Sequence, residues 1–296
     1  MFEAYLIYPA LAIASAFLFG LLIGSFLNVV ILRLPARLEW GWKRDSRDLL
    51  ELPVDDAPGE PPDLVLTRSH CPQCGQHLSA WENIPLLSFL ILRGRCRNCR
   101  APISWQYPTV ELLTGIAMAI CVWRFGIGWQ ALAAMAYSAI LIALTGIDLR
   151  TSLLPDQMTY PLLWIGLLLS VFGVFVAPAT AILGAIVGYL SLWSVYWLFK
   201  LATGKEGMGH GDFKLLAALG AWCGWQGVLP IVLISALVGA VIGSAWLALR
   251  GRDRASPIPF GPYLALAGWI QLLWGTAADR GISAHQRDSL RLPWPG

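Results

Sequence analysis

Three aspartates flank long apolar stretches of this 296-residue chain, and carboxylates in that setting can do acid–base chemistry. Asp148 ends one apolar stretch, Asp156 precedes the next, and Asp212 opens a later one. Each also has an ordinary structural explanation. Asp148 could pair with Arg150, and the other two could cap the helices that follow them. We interpret Asp156 as such an N-cap and keep Asp148 and Asp212 as candidates for chemistry.

The surroundings of Asp212 are unusual for a helix cap. Gly207, Gly209 and Gly211 remove side chains from its approach, which lets another backbone or a substrate come close. Two carboxyls at close range cannot both ionise, so one stays an acid while the other acts as a base. Such a pair can activate a water molecule against a peptide carbonyl. We therefore predict that Asp148 and Asp212 hydrolyse peptide bonds together.

Helix polarity suggests how the two carboxyls share a proton. Asp148 lies at a predicted helix C-terminus, where the macrodipole favours the protonated form, and Asp212 lies at an N-terminus, where it favours the carboxylate. Other chemistries lack their motifs, since the sequence contains no GxSxG elbow, no HExxH zinc motif and no GxxxxGK[ST] phosphate loop. His210, the one histidine beside these aspartates, is a weaker candidate for tuning them.

Four cysteines form a second pattern, which has metal-ligand spacing. Cys71 and Cys74 form one CxxC pair, and Cys96 and Cys99 form another. Two such pairs favour a tetrahedral zinc site, to which each pair contributes two sulfurs. Disulfides or unpartnered thiols are the alternatives, and a reducing compartment disfavours disulfides. A four-sulfur site leaves no open position for a substrate, so we expect the Zn²⁺ to be structural.

Composition indicates what must position these groups. Hydrophobic residues make up 57% of the chain and charged residues 13%, with a mean hydropathy of +0.61. A soluble chain carries roughly 25% charged residues, so lipid must be the solvent for most of this protein. Apolar stretches of about 20 residues can cross a bilayer as helices. We predict an all-α polytopic membrane protein with about eight transmembrane helices, at 6–32, 107–123, 129–147, 160–178, 180–199, 213–226, 228–248 and 258–275.

The basic residues predict the orientation in the membrane. Placing the loop 34–106 in the cytoplasm puts most of the 21 Lys and Arg residues on that side. Only Arg124, Arg280, Arg287 and Arg291 then face the periplasm. The loop contains the cysteine pattern, and its charged, proline-rich part 39–63 is predicted to be irregular. The predicted domains are a first transmembrane helix (1–33), a zinc-binding cytoplasmic loop (34–106), a transmembrane core (107–275) and a periplasmic C-terminal tail (276–296).

The chain resembles a known family, the bacterial type IV prepilin peptidases, which are intramembrane aspartic proteases of the GxGD kind. The resemblance runs almost from end to end and follows the order of the family's motifs. The matching motifs are GSFLNVVILRLP at 24–35, CPQC at 71–74, WENIP at 81–85, RGRC at 93–96, YPTVELLT at 107–114, Asp148 through Asp156, GHGDFK at 209–214, and PFGPY at 259–263.

The resemblance implies a specific reaction in the bacterial inner membrane. The family removes the basic leader of prepilins and pseudopilins at the cytoplasmic face, after a Gly and before a residue that is usually Phe. Its cysteine-containing branch then N-methylates that residue with S-adenosylmethionine. The resemblance assigns the protease pair to Asp148 and Asp212 and the zinc ligands to the four cysteines. For methyl transfer we name Glu111 and Asn28, although helix–helix hydrogen bonding explains both equally well.

Other functions remain open from the sequence. The chain could be a peptidase without methyltransferase activity. It could be a proton-coupled transporter, although such proteins usually show related halves and no internal repeat is found here. It could also be a zinc-bearing scaffold of a secretion machine. The expected partners are prepilins, pseudopilins and membrane lipid, with no nucleic acid.

Overall fold

The computed structural model describes residues 9–51, 59–205, 207–250 and 259–275. These residues form an all-helical protein in which a helix occurs at each of the eight predicted places. The helices are α1 (Pro9–Leu49), α2 (Leu87–Ile91), α3 (Gln106–Phe125), α4 (Trp129–Thr151), α5 (Asp156–Val171), α6 (Pro178–Thr203), α7 (His210–Cys223), α8 (Trp225–Arg250) and α9 (Gly261–Trp274). A short 3-10 turn, Ala80–Asn83, precedes α2.

The count of eight transmembrane helices is not confirmed. Among the described residues, five helices are long and apolar enough to cross a membrane: Pro9–Leu49, Gln106–Phe125, Trp129–Thr151, Pro178–Thr203 and Trp225–Ser244. The helices α5, α7 and α9 have 16, 14 and 14 residues. At a rise of 1.5 Å per residue, 14 residues span roughly 21 Å, which is less than the hydrocarbon core of about 30 Å.

The chain divides into two compact units, Met1–Ile120 and Cys121–Gly296. In the first unit, α1 and α3 approach so closely that small residues are required between them. A Cβ on Gly20 would lie 2.7 Å from the Cα of Gly115, and a Cβ on Gly24 would lie 2.6 Å from the Cα of Glu111. Small residues at such a crossing allow the backbones to pack against each other inside a membrane.

The first helix is longer than predicted. We expected a span at 6–32 and an irregular segment from 39 to 63, but α1 continues to Leu49 with Pro35 inside it. Two arginines on its extension bind the returning chain. Arg33 donates to the carbonyls of Asp63 and Thr67, and Arg37 donates to the carbonyl of Pro61. Residues 52–58 and the predicted tail 276–296 lie outside the described residues.

In the second unit, α7 lies at the centre and packs against α5, α6, α8 and α9. Its buried residues extend without a break from Leu215 to Cys223. The crossing of α6 and α7 requires glycine, because a Cβ on Gly184 would lie 2.1 Å from the carbonyl oxygen of Gly220 and one on Gly188 would lie 2.5 Å from that of Leu216. This close packing fixes the N-terminal turn of α7, which carries Asp212.

Candidate functional site

Asp148 and Asp212 are brought together by the packing of the second unit. Asp148 lies in the last turn of α4 and Asp212 in the first turn of α7, which are the helix ends that the sequence predicts. Only 4% of Asp148 and 7% of Asp212 are exposed. The two carboxyls interact electrostatically with each other. Which of them carries a shared proton stays a prediction.

Both carboxyls keep an oxygen free for a further ligand. Oδ2 of Asp148 and Oδ1 of Asp212 are buried, and neither has a hydrogen-bond partner among the described residues. A buried carboxylate oxygen without a hydrogen-bond partner is unfavourable, so both oxygens are suited to accept a hydrogen bond from a further group. A water molecule or a peptide N–H could donate to a carboxylate oxygen here, and a protonated carboxyl could donate to a peptide carbonyl.

The glycines around Asp212 serve different purposes. A Cβ on Gly209 would have only one atom within 4 Å, Oδ2 of Asp212 at 3.9 Å, so this glycine leaves the approach to the carboxyl open. A Cβ on Gly211 would lie 2.8 Å from the Cβ of Leu154, and one on Gly207 would lie 2.8 Å from the ring of Phe199. The predicted clearance is therefore present at Gly209, whereas the other two glycines are required by packing.

Gly261 lies against Asp148, a contact that the sequence does not predict. It begins α9, and a Cβ at this position would lie 2.5 Å from Oδ2 of Asp148 and 3.2 Å from both Cδ atoms of Leu154. Its backbone N–H donates towards the Asp148 carboxyl. The available signal was the PFGPY motif at 259–263, but only the folded chain shows that this motif reaches Asp148.

The interpretation of Asp156 as an N-cap is wrong. Pro155 is the N-cap of α5, and Asp156 is the first helical residue. The two carboxylate oxygens of Asp156 lie 2.7 and 2.8 Å from Nζ of Lys214, which also lies 5.2 Å from the ring centre of Tyr160. Asp156 therefore ties α5 to α7 two residues beyond Asp212, and its charge is already neutralised by a partner.

The four cysteines form a group that could hold a metal ion. One ligand atom from each of Cys71, Cys74, Cys96 and Cys99 lies within 4.8 Å of the others, and all four are free thiols rather than disulfides. Zn–S bonds of about 2.3 Å in a tetrahedron place the sulfurs roughly 3.8 Å apart. The observed grouping therefore needs only a small contraction to bind zinc.

The backbone of the cysteine loop favours thiolates. The backbone N–H of Gln76 lowers the pKa of Cys74 to about 7, and the N–H of Cys99 lowers the pKa of Cys96. The Cys99 thiol differs, because burial and the hydrogen bonds of the neighbouring thiols raise its pKa to about 11. The thiolate is the form that binds a metal. Each CxxC pair is followed by a residue in the left-handed region, Gly75 at φ 70° and Arg100 at φ 59°. The two turns thus have the same local construction.

Asn28 and Glu111 lie in the first unit, where α1 packs on α3. The Asn28 side chain donates to the carbonyls of Gly24 at 3.3 Å and Tyr107 at 3.1 Å, but its buried Oδ1 has no partner among the described residues. Glu111 is buried and its Oε2 accepts the Leu86 N–H at 2.8 Å. Packing between the helices accounts for the hydrogen bonds of the Asn28 amide N–H groups. It does not account for Asn28 Oδ1, which accepts no hydrogen bond from the described residues.

Comparison with known proteins gives two family matches that follow each other along the chain. Residues 18–125 match the bacterial peptidase A24 N-terminal domain, and residues 135–244 match the type IV leader peptidase family. No solved structure matches significantly.

Close relatives share nearly the whole length of this chain. A prepilin leader peptidase/N-methyltransferase of Xanthomonas campestris is 61% identical over 268 residues, which covers 90% of this chain and 93% of that protein. Proteins of the same name from Aeromonas hydrophila and Pseudomonas aeruginosa are 55% and 51% identical, each over 92% of this chain and 94% of theirs. The resemblance found in the motifs is thereby confirmed.

The contacts of Gly261 generate a first prediction. We expect Gly261→Ala to lower the stability of the purified protein by about 1–3 kcal/mol, because the new methyl group would overlap Oδ2 of Asp148. Gly209→Ala is the matched control, since its methyl group would meet only an ordinary contact at 3.9 Å. Thermal unfolding in detergent micelles measures both, and equal shifts would contradict the close approach.

Proposed function

The chain belongs to the type IV leader peptidase family, and from that premise we propose that it removes the leader peptide of prepilins and pseudopilins with Asp148 and Asp212. The observation that carries this proposal is the pair of buried carboxyls, contributed by different helices, each with an oxygen that lacks a partner among the described residues. A carboxyl with a purely structural role would instead be paired with a cation, as Asp156 is with Lys214.

The chemistry follows from two carboxyls that share one proton. The ionised carboxylate removes a proton from water, and the resulting hydroxide attacks the scissile carbonyl carbon. The protonated carboxyl donates to the carbonyl oxygen. As the carbon–nitrogen bond breaks, the carboxyl that took the proton from water gives it to the departing amine, and the other carboxyl recovers its proton from the carbonyl oxygen. Burial excludes bulk water and strengthens each of these interactions. Gly261, through its N–H, holds Asp148 in place beside the open approach at Gly209.

The membrane explains why a peptide bond near an apolar segment is the substrate. Five described helices can cross a bilayer, which supports a multi-pass inner-membrane protein. We place the aspartate pair at the cytoplasmic face, because that orientation keeps most Lys and Arg residues in the cytoplasm. A prepilin has a basic leader followed by an apolar helix, so its scissile bond would lie at this interface while the leader stays among anionic headgroups.

We further propose that the cysteine loop binds a structural Zn²⁺ and that the chain N-methylates the new N-terminus. Cys71, Cys74, Cys96 and Cys99 would be the zinc ligands. S-adenosylmethionine, which supplies an electrophilic methyl group, carries positive charge on its sulfonium and ammonium groups. The buried acceptors Asn28 Oδ1 and the Glu111 carboxylate suit such a ligand, because both present oxygen and neither forms a described salt bridge.

Asparagine substitutions test the protease pair. We expect Asp148→Asn and Asp212→Asn each to reduce cleavage of a prepilin by roughly 10³-fold or more, because either change removes the group that exchanges the proton. Asp156→Asn should retain most of the activity. The assay is leader removal by purified enzyme, followed by mass spectrometry. A scaffold role predicts the opposite result, with cleavage preserved in all three variants.

Metal analysis tests the cysteine site. We expect the wild-type protein to retain about one zinc ion per chain through purification, because its four thiolates complete the coordination sphere. Cys96→Ser should lose most of this zinc and lower the thermal stability. Cys121→Ser is the control, since Cys121 lies outside the cluster and contacts Ser138. Equal zinc content in both variants would rule out the proposed ligand set.

The mass of the mature pilin tests methyl transfer. We expect Glu111→Gln to leave leader cleavage largely intact and to yield a product one methyl group lighter, because the variant lacks the charge that would hold the methyl donor. Asn28→Ala should act in the same direction. An unmethylated product from the wild-type enzyme would mean that the chain is a peptidase without methyltransferase activity. A methylated product from both variants would remove these residues from the methyl-transfer site.

A further inference from the structure

The short helix α2 in the cysteine loop exposes an unusual amount of apolar surface. None of its residues is buried. The exposed fractions of Leu90 and Ile91 are 70% and 60%, and those of Leu87 and Ile84 are 49% and 43%. We call these four side chains the apolar loop face. A contiguous apolar surface of this kind is unfavourable in water and usually marks a binding surface.

A hydrogen bond fixes the depth of this surface relative to α3. The Leu86 N–H, directly before α2, donates to Oε2 of Glu111 at 2.8 Å. Glu111 lies five residues inside α3, which begins at Gln106, so the bond lies about 7–8 Å along the helix from its start. Trp105 and Tyr107 are both exposed at that start, as aromatic residues at a membrane interface are.

The loop is built to hold this position. Leu86 has a φ of 57°, a conformation that a leucine adopts only where its surroundings enforce it. The Ser79 backbone N–H and hydroxyl both donate to the Glu82 carboxylate, which fixes the turn ahead of Leu86. On the other side of α2, the ring of Phe89 lies 4.9 Å from that of Trp105. The side chains that remain outward are those of the apolar loop face.

Positive charge follows the apolar surface directly. Arg93, Arg95, Arg97 and Arg100 are all exposed, and no Asp or Glu lies between them in the sequence. Arg97 is engaged within the loop, because its guanidinium lies 5.6 Å from the ring centre of Trp81 and interacts with the Glu82 carboxylate. Clusters of Lys and Arg beside an apolar segment attract anionic lipid headgroups. Apolar side chains at interfacial depth with basic residues beside them are the features of an interfacial membrane anchor.

We propose that the apolar loop face inserts into the lipid bilayer at the acyl–headgroup boundary, with Arg93, Arg95 and Arg100 on anionic headgroups. The zinc-binding loop is thereby held against the membrane by lipid as well as by its two chain connections to α1 and α3. The bound partner is the bilayer itself, not the apolar segment of a peptide substrate. This inference depends on the membrane-spanning helices and not on the proposed catalytic roles.

Depth-dependent quenching tests the proposal on the full-length protein. A fluorescent amino acid replaces Leu90 in one variant and Leu49 in a control. Leu49 is 84% exposed but ends α1 about 24 Å beyond Arg33 along the helix. Both variants are reconstituted into phosphatidylcholine vesicles with brominated acyl chains, with and without phosphatidylglycerol. We expect several-fold stronger quenching at Leu90 than at Leu49, and a further increase with phosphatidylglycerol.

Two further experiments distinguish lipid from a peptide substrate as the partner of this surface. The double variant Arg95→Gln/Arg100→Gln should lose much of the phosphatidylglycerol effect while quenching in neutral vesicles persists. Quenching at Leu90 no stronger than at Leu49 would overturn the proposal. Loss of the Leu90 quenching when a prepilin is added would also overturn it, since the surface would then be a substrate site. Leader cleavage measured on the same samples reports separately on the proposed function.

Discussion

The second unit depends on one constraint, which is that two ionisable carboxyls are buried close enough to interact. Asp148 and Asp212 lie in helices that are far apart in sequence, and their proximity is unfavourable unless the helices are held by other contacts. Those contacts come from backbone packing. The backbone of α7 packs directly on that of α6 where Gly184 meets Gly220 and where Gly188 meets Leu216. Neither Gly184 nor Gly188 has room for a side chain.

Short helices are a consequence of the same constraint. A helix end carries unpaired backbone groups, and an acid at a helix end inside a membrane protein requires that end to be enclosed by protein. The helices α7 and α9 both have 14 residues, and both begin beside the carboxyl pair, with Asp212 in the first turn of α7 and Gly261 against Asp148 at the start of α9. The start of each short helix is thereby placed at the carboxyl pair.

Local patterns in the sequence were sufficient for features that depend on spacing. The two CxxC pairs predicted the cysteine cluster, and apolar stretches of about 20 residues predicted a helix at each of the eight places. Features that depend on distant contacts were missed. The Asp156–Lys214 ion pair joins residues 58 positions apart, so the sequence around Asp156 suggested only a cap. The extension of α1 to Leu49 was missed because its charged residues resemble a loop, whereas Arg33 and Arg37 tie it to the returning chain.

The contrast between Asp156 and Asp212 shows why residue type alone could not rank the three aspartates. Both lie in the first turn of a helix, where the dipole favours a negative charge. Asp156 is partly exposed and has the ammonium group of Lys214 within 2.8 Å, so its charge is paired with a cation. Asp212 is buried, faces another acid, and has an oxygen with no described partner. A catalytic carboxyl must be able to gain and lose a proton during the reaction, and of these two sites only that of Asp212 leaves the group unneutralised.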